Sequence, residues 1–419
     1  DPKYSFTAEE LEYFKNNNYD WLDQAWTSAS NMRHTLNVSG GADKSTYFAN
    51  VSYYTQDGNL GSLDYNKWTF RAGADVNVLA NLKAGLQISG TFDELKKTFN
   101  KVGGEQEEND YRNLLRAPQY VPMYVDGKPV KLPGTDALSR YNYYAITDLG
   151  NLATGDDRTT TFNLYAEYEL PFIKGLKARG SYARNLGSSR GTQVGTFFDV
   201  YDYGTAHIIN SDAASTMRTY DNGNRLYFSN RHSLSYQANL SASYTRQFGQ
   251  HNVSGFFTVE QSEAESSQED VWRFDPTRTT NGQLATAFGE YEGKSAGNES
   301  GNLGYVGRAH YDFNGKYLAD VVFRSDASTK FAPENYWGQF YSVGLGWVVS
   351  DEKFFKIPAV DFLKLRYSVG LLGRDDTAPW LWRQRYTYQQ GKGAVFGNSD
   401  SNNASIGMKM EASPNRDAT

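Results

Sequence analysis

The chain of 419 residues contains no cysteine, so disulfides and metal sites built on thiolates are excluded. It has no run of about 18 apolar residues, which excludes a transmembrane helix, and its mean hydropathy is -0.66. Its first residues, Asp1-Pro2-Lys3, do not resemble a signal peptide. These absences leave room for a membrane protein that crosses with strands, because a barrel strand offers lipid only every second residue.

Signatures of catalysis and of nucleic-acid binding are also missing. The net charge of -6 gives no basic surface for nucleic acid, and the five histidines show no HExxH or other metal-binding spacing. Two acidic segments, 105–110 and 263–270, have the side chains that calcium uses, but a solvated acidic loop is the favoured interpretation. The sequence therefore predicts a protein that is not an enzyme and has no cofactor, metal site or nucleic-acid partner.

What the chain does have is a period of two. From Leu234 to Thr245, apolar side chains alternate with Ser, Gln, Asn and Thr. Because side chains alternate across a strand, this segment has an apolar face and a strongly polar face. A soluble sandwich buries such an apolar face, whereas a membrane barrel turns it to lipid. The pattern recurs in segments that begin near Tyr47, Trp68, Phe162, Leu303, Tyr317 and Leu363.

The connections between these segments distinguish the two folds. We count about twelve strands within 32–373, where tight turns such as Asn314-Gly315 alternate with long loops at about 94–158, 185–230 and 266–300. Short turns on one side and long loops on the other are typical of outer-membrane barrels. The sequence therefore predicts an all-β, antiparallel transmembrane β-barrel with short periplasmic turns and long extracellular loops.

Shorter elements interrupt this pattern. The capping-box residues Thr7 to Glu10 predict a short helix within an extracellular loop formed by residues 1–31. Tyr124 to Val130 predicts a small hairpin inside the longest loop, and Asp351 to Phe355 a helical turn on the short-turn side. Residues 374–419 are expected to form another extracellular loop and the start of the next strand.

Aromatic residues in the expected loops are the candidates for binding a substrate or a partner. Trp272 and Phe274 fall in one of these loops, and Trp380, Trp382 and Tyr386 in another. Aromatic faces stack on sugar rings and also form hot spots for partner proteins. Packing between loops, or a position at the membrane interface, is the more frequent reason for such residues. The polar residues expected to line the lumen are Gln237, Asn239, Glu167, Arg324 and Lys364.

Ordered motifs run through the whole chain. They are Tyr19 to Leu22, Leu36 to Gly41, Tyr53 to Gly58, Pro171 to Tyr182, Phe248 to Gln261, Phe323 to Pro333, Trp337-Gly338, Trp347, Ser350 to Phe355, Phe362 to Arg366 and Ser413-Pro414-Asn415. In this order they resemble the barrel of the SusC/RagA family. That family comprises TonB-dependent outer-membrane transporters for glycans and peptides.

The resemblance implies a function and partners. It implies import of a bulky nutrient across the Gram-negative outer membrane, with an oligosaccharide favoured as substrate and a peptide as the alternative. The implied partners are a SusD-like surface lipoprotein, TonB acting through a segment before Asp1, and outer-membrane lipid, with a dimer of SusC–SusD pairs as an option. Two alternatives stay open, a plugless passive porin or adhesin barrel and a soluble all-β carbohydrate-binding protein.

The resemblance also implies that other parts of the protein exist. Family barrels have about 22 strands around a plug domain. The chain is therefore expected to be an internal barrel portion, without the plug, the TonB box and the C-terminal strands. Its strands near Leu36 and Leu365 should then be the two edges of an open sheet, unless residues near 384–410 form a further partial strand, because a closed barrel would have to pair them.

The barrel interpretation also fixes which way particular side chains must face. Ala238 and Leu240 should face lipid, and Asn239 and Gln237 should face the lumen. Ala238→Arg should then impair assembly, whereas Asn239→Arg should be tolerated. The turn at Gly315 should lie at the opposite end of the sheet from the long loops.

Overall fold

The chain folds around one large antiparallel sheet. The computed structural model describes residues 6–102, 107–134, 138–389, 392–394, 405–411 and 413–417. The helices are α1 Ala8–Asn16, α2 Trp21–Ala25, α3 Glu107–Arg116 and α4 Tyr143–Asp148. The strands are β1 Asn31–Ala42, β2 Ser45–Asp57, β3 Leu63–Leu79, β4 Leu82–Thr98, β5 Tyr124–Val125, β6 Lys128–Pro129, β7 Leu152–Glu169, β8 Leu176–Asp202, β9 Thr216–Phe248, β10 His251–Phe274, β11 Tyr291–Phe313, β12 Tyr317–Ser328, β13 Trp337–Val348, β14 Lys364–Leu371, β15 Tyr386–Gln389 and β16 Gly407–Met410.

The large sheet is an up-and-down meander of 12 strands, β1 to β4 followed by β7 to β14. Within the described residues, β1 pairs only with β2 and β14 only with β13. The expectation that the strands near Leu36 and Leu365 form the two edges is confirmed. The predicted all-β antiparallel fold and the predicted strand number are also confirmed. The hairpins β5–β6 and β15–β16 form separate small sheets.

The strand register places the predicted apolar residues side by side. Leu240 of β9 lies opposite Gly180 of β8 and Val259 of β10, and Val259 lies opposite Tyr305 of β11. We call this surface the apolar face; it crosses the whole sheet, and 65% of Leu240 is exposed on it. Asn239 and its neighbours lie on the other side, the polar face. The alternation in the sequence therefore assigns both faces correctly.

Aromatic rings border the apolar face in two rows. Near the loop end of the sheet, Tyr305 and Trp337 stack with ring centroids 5.7 Å apart. Near the short turns, Phe313 and Tyr317 stack with centroids 6.3 Å apart. At about 3.3 Å per residue, Tyr305 and Phe313 lie about 26 Å apart along β11. An outward apolar band about 25 Å tall between two aromatic girdles is the pattern of a barrel that spans a membrane.

Two of the long loops are shorter than the sequence predicts. Residues 203–215 connect β8 to β9, where a loop over 185–230 was expected, and residues 275–290 connect β10 to β11, where 266–300 was expected. Those predictions were wrong because the outer ends of these strands carry polar residues on both faces, which conceals the period of two. The connection expected over 94–158 spans 99–151, since β4 and β7 also extend further.

The ends of the sheet are arranged as predicted. The turn at Gly315 joins β11 to β12, at the end where short turns also join β7 to β8 and β9 to β10. Asp126 lies in the connection from β4 to β7, and Trp272 lies near the outer end of β10, so both belong to the opposite end. The predicted helical turn near Asp351 is present as a short 3-10 helix over Val349–Asp351.

A small apolar core forms at the loop end, where the connection 99–151 folds against the N-terminal helices. Trp21, Val121, Val130, Ile146 and Phe198 are among its buried members. The indole of Trp21 donates to the carbonyl of Val121 at 2.8 Å, which ties α2 to the connection. We call this unit the loop core. It contains the predicted hairpin as β5–β6.

One buried side chain organises much of the loop core. Asn142 caps α4 by accepting hydrogen bonds from the main-chain N–H groups of Tyr144 and Ala145. Its amide donates to the carbonyls of Met123 and Val130, at 3.2 and 2.8 Å. Burial in this unit raises the pKa of Tyr143 to about 12. The loop core is thus a specifically packed unit.

Helix capping at the N-terminus follows the predicted pattern. Thr7 accepts a hydrogen bond from the N–H of Glu10, and the Glu10 carboxylate accepts one from the N–H of Thr7, so the capping box of α1 is confirmed. Helix α2 was not predicted, although Asp20 caps it by the same chemistry. No helix in the described part of the chain is long and apolar enough to cross a membrane.

Candidate functional site

The polar face collects the side chains that the sequence predicts to line a lumen. Gln237, Asn239, Glu167, Arg324 and Lys364 all lie on it, as the cross-strand register shows. The amide of Asn239 donates to the hydroxyl of a neighbouring serine on β8 at 3.3 Å. The alternation therefore selects all five residues correctly, and the sheet places them on one continuous surface.

Charged side chains on the polar face pair across strands near the short turns. Lys83 Nζ lies 3.3 Å from Asp75 Oδ2, and the hydroxyl of Tyr165 donates to Asp75 Oδ1 at 2.5 Å. The Arg179 guanidinium lies 4.1 Å from the centre of the Tyr165 ring and 3.3 Å from Glu167 Oε2. These charges balance one another, so this part of the face is polar without offering a free ion site.

A second group of charges lies between β11 and β12. Arg308 donates to Asp320 Oδ1 through Nε at 3.0 Å and through Nη2 at 2.7 Å. His310 Nδ1 approaches the other oxygen of Asp320 at 3.0 Å. This histidine therefore lies beside a carboxylate that an arginine already neutralises.

A third group surrounds Arg324. Its Nε donates to Asp326 Oδ2 at 2.5 Å, and its Nη2 lies 3.4 Å from Glu260 Oε2. Gly304 lies between the two carboxylates in the register, opposite Glu260 on one side and Asp326 on the other. A Cβ at position 304 would lie only 2.7 Å from Asp326 Oδ1. The glycine therefore leaves the space in which the three charged groups meet.

The Arg324 group borders a cavity of 760 Å³ on the polar face. Phe340 forms part of its wall and lies close to Gly338, where a Cβ would come within 2.8 Å of the ring. The chain after β14 bends over the cavity, where the carbonyl of Asp375 accepts a hydrogen bond from Lys330 Nζ at 3.0 Å. The cavity combines charged, amide and aromatic groups, a mixture suited to a polar organic ligand.

Two of the candidate aromatic residues lie in a strand and not in a loop. Trp272 and Phe274 are at the outer end of β10, on the polar face. Trp272 lies beside Tyr227 of β9, with ring centroids 6.1 Å apart and planes inclined by 32°. Its indole N–H donates to the Glu292 carboxylate at 3.0 Å. The two residues were placed in a loop for the same reason that β10 was predicted too short.

The other candidate aromatic residues lie beyond β14 and belong to a separate cluster. Arg383 lies between Trp380 and Trp382, 4.7 and 4.8 Å from their ring centres. Trp380 has a φ of 65°, which is rare for a bulky residue, and it borders a pocket beside Glu265. Tyr386 begins β15 and is exposed. Among the described residues, no ring contact joins this cluster to Trp272 or Phe274.

Sequence patterns missed two features of the polar face. Tyr227 was assigned to a loop, although strand β9 includes it. The Arg324 cavity needs the register between β10, β11 and β12, which the period of two alone does not supply. In the part of the chain that the structure describes, no group of three or more His, Asp or Glu side chains could hold a metal ion. The acidic segment 105–110 lies partly outside the described residues.

Curated proteins similar in sequence are TonB-dependent receptors. Receptor P3 of Formosa agariphila is 26% identical over 384 residues, covering 87% of this chain and 35% of that protein. SusC of Bacteroides thetaiotaomicron is 21% identical over 385 residues, covering 86% and 35%. No protein-family model matches the chain. The chain thus spans about a third of the length of these relatives, and they confirm its resemblance to the SusC/RagA family.

Solved structures show the same fold. The RagAB peptide transporter aligns with a TM-score of 0.72 at 17% identity, over 96% of this chain and 42% of that chain. The "open-open" state of the RagAB peptide importer aligns with a TM-score of 0.69 at 16% identity, over the same shares. The 12-stranded sheet is therefore a wall of the β-barrel type found in TonB-dependent transporters.

Proposed function

We propose that the chain forms part of a TonB-dependent outer-membrane transporter that imports a bulky nutrient, an oligosaccharide in preference to a peptide. The observation that supports this most strongly is the contrast between the two faces of one sheet. Exposed apolar residues between two aromatic rows cover one face, and paired charges and amides cover the other. A wall between lipid and an aqueous passage needs this contrast, whereas a soluble sheet would bury its apolar face.

The transporter would act with a SusD-like surface lipoprotein and with TonB, as the resemblance implies. The loop core and the connection 275–290 lie at the outer end of the sheet, where such a lipoprotein would meet the barrel. The RagAB peptide transporter, whose fold this chain shares, is a precedent for peptide as the alternative substrate. A dimer of transporter–lipoprotein pairs is part of the same proposal, and no catalytic step is needed.

The candidate aromatic residues take two roles in this proposal. Trp272 and Phe274 point along the polar face and would meet the substrate. Trp380, Trp382 and Tyr386 follow β14 in the chain, with Trp380 against the outer parts of the central strands, and would contact either substrate or lipoprotein. Their separation in the structure favours different roles, because one ligand ring cannot touch both groups.

Uptake in cells tests the proposal against its alternatives. The transporter should require detergent for extraction, and it should migrate differently on gels before and after boiling. Uptake of its nutrient should stop when TonB is deleted. Uptake that continues without TonB would support the passive porin instead, and a protein extracted without detergent would support the soluble carbohydrate-binding alternative.

A further inference from the structure

We propose that Tyr227 and Trp272 form a binding site for an uncharged sugar ring at the outer end of the polar face. This inference rests on the import function proposed above and adds a location and a ligand class to it. The two residues are register partners on β9 and β10, so their rings project from the same face. Their centroids are 6.1 Å apart at an inclination of 32°, which gives a broad, nearly continuous aromatic surface.

Neighbouring polar groups hold both rings in place. Trp272 donates its indole N–H to Glu292 at 3.0 Å. Arg225 lies 5.2 Å from the centre of the Tyr227 ring and donates to Gln193 at 3.2 Å. Arg225 lies over one face of the Tyr227 ring, which leaves the other face and the Trp272 ring for the C–H face of a pyranose. The Glu292 carboxylate and the Gln193 amide at the edge of the pair can bond the equatorial hydroxyls. The arrangement therefore matches the two chemically different surfaces of a sugar ring.

Polar residues continue from the aromatic pair towards the middle of the sheet. Two positions further along the strands, Lys294 Nζ lies 3.4 Å from the buried carboxylate of Asp270. Two residues further towards the middle of β10, Gln268 accepts a hydrogen bond from Arg231 at 2.7 Å. Arg231, Gln268 and Asp157 border a pocket of 300 Å³. Another sugar unit of the same oligosaccharide would enter this pocket, since the pocket lies on the same face as the aromatic pair.

The charges of this patch favour an uncharged ligand over a polyanion. On the polar face of this patch three cations and three carboxylates sum to zero: Arg225, Arg231, Lys294, Asp157, Asp270 and Glu292. Arg158 also borders the pocket, but it alternates to the other face of β7. A sulfated or uronic-acid polymer would bring many negative charges to a surface that offers no net positive charge, and it would meet carboxylates beside the rings. An uncharged ligand rich in hydroxyl groups needs no net positive charge and is not repelled by these carboxylates.

Binding measurements on the protein extracted from outer membranes in detergent test this site. The probes are neutral hexaoses of glucose, mannose, galactose and xylose, together with dextran sulfate and an uncharged hexapeptide, in isothermal titration calorimetry. At least one neutral hexaose should bind, and Trp272→Ala and Tyr227→Ala should each weaken it roughly tenfold or more. Trp272→Phe keeps an aromatic ring and should stay within about threefold of wild type. Trp68→Ala, at a half-exposed tryptophan on the apolar face, is the matched control and should leave affinity unchanged.

Each outcome of these measurements either supports or refutes the sugar-binding site. Affinity lost in both alanine variants but not in the control supports the site, provided that every variant keeps its different mobility before and after boiling. The site is refuted if no neutral hexaose binds, if Trp272→Ala binds like wild type, or if dextran sulfate or the peptide binds best with the same variant dependence. TonB-dependent uptake that persists after such a refutation would leave the import function standing, so the two proposals fail separately.

Discussion

Placing an arginine on either face of β9 separates the barrel interpretation from every soluble alternative. Leu240 is the better position on the apolar face, because it is 65% exposed and lies two residues further from the loop end than Ala238. Ala238, which the sequence also assigns to this face, lies beside Tyr182 and Gln261, close to the outer aromatic row. A charge near an interface costs only about 0–1 kcal/mol, against about 2–4 kcal/mol at the midplane.

Leu240→Arg should therefore make folding into lipid vesicles less favourable, by up to about 2–4 kcal/mol. That corresponds to about a 30- to 700-fold smaller folding equilibrium constant. Asn239→Arg, one residue away, puts the same charge on the polar face. It loses side-chain hydrogen bonds to Gln237 and Ser181, at 3.2 and 3.3 Å, worth about 1 kcal/mol each at most.

Urea titration of protein folded into vesicles, followed by mobility before and after boiling, measures the difference between these variants. The expected result is a strong loss of assembled protein for Leu240→Arg and near wild-type assembly for Asn239→Arg. Equal effects would contradict the assignment of lipid to the apolar face. A larger effect for Asn239→Arg would mean that the two faces are reversed.

Three further changes test the cavity and the loop core. Gly304→Ala should push the Asp326 carboxylate away from Arg324, because its Cβ would lie 2.7 Å from Asp326 Oδ1, and the loss of this partly exposed ion pair should cost at most about 1 kcal/mol in urea titration; a loss of more than about 2 kcal/mol would refute this reasoning. Asn142→Ala removes the cap of α4 and the side-chain bonds to the hairpin, so it should cost the loop core about 2–4 kcal/mol and speed proteolysis within 99–151; unchanged cleavage would refute its role. Burial raises the pKa of Tyr143 to about 12, against about 10 in an unfolded chain. The stability this gives the loop core is full below pH 10 and lost between about pH 10 and 12. Tyr143→Phe should therefore make alkaline proteolysis of the loop core less steep, and an unchanged profile would refute the assignment.

The period of two was sufficient to predict the fold class and both faces of the sheet. Leu240, Asn239 and Arg324 all lie on the predicted faces, because lipid on one side of a strand forces strict alternation. The same logic explains where prediction failed. Outside the apolar band no lipid constrains the outward face, and single residues such as Phe198 pack into the loop core. The segments 185–202 and 216–230 therefore show no strict alternation, although they are strands. Main-chain hydrogen bonds hold those parts together, and they leave no pattern in the sequence.

The candidate site was predicted in part for similar reasons. Trp272 was chosen for its chemistry, but its partner Tyr227 becomes apparent only through the register of β9 with β10. The charged group at Arg324 forms because Gly304 of β11 lies between Glu260 of β10 and Asp326 of β12, which are distant from one another in the sequence. Patterns within one segment contain no information on such pairings between strands. Local signals do predict local elements, as the capping box at Thr7 predicted helix α1.

The length of the central strands determines where a substrate first meets this wall. Val259 of β10 lies opposite Tyr305, a member of the aromatic row near the loop end. Trp272 lies 13 residues further out on β10, about 43 Å from Val259 at about 3.3 Å per residue. The aromatic pair therefore stands well outside the hydrocarbon region, while Arg324 and its carboxylates lie closer to it. Changes at Trp272 should then affect capture at low nutrient concentration, and changes at Arg324 the maximal rate of uptake. Concentration-dependent uptake by the two variants separates these effects, and identical profiles would contradict a division between entry and passage.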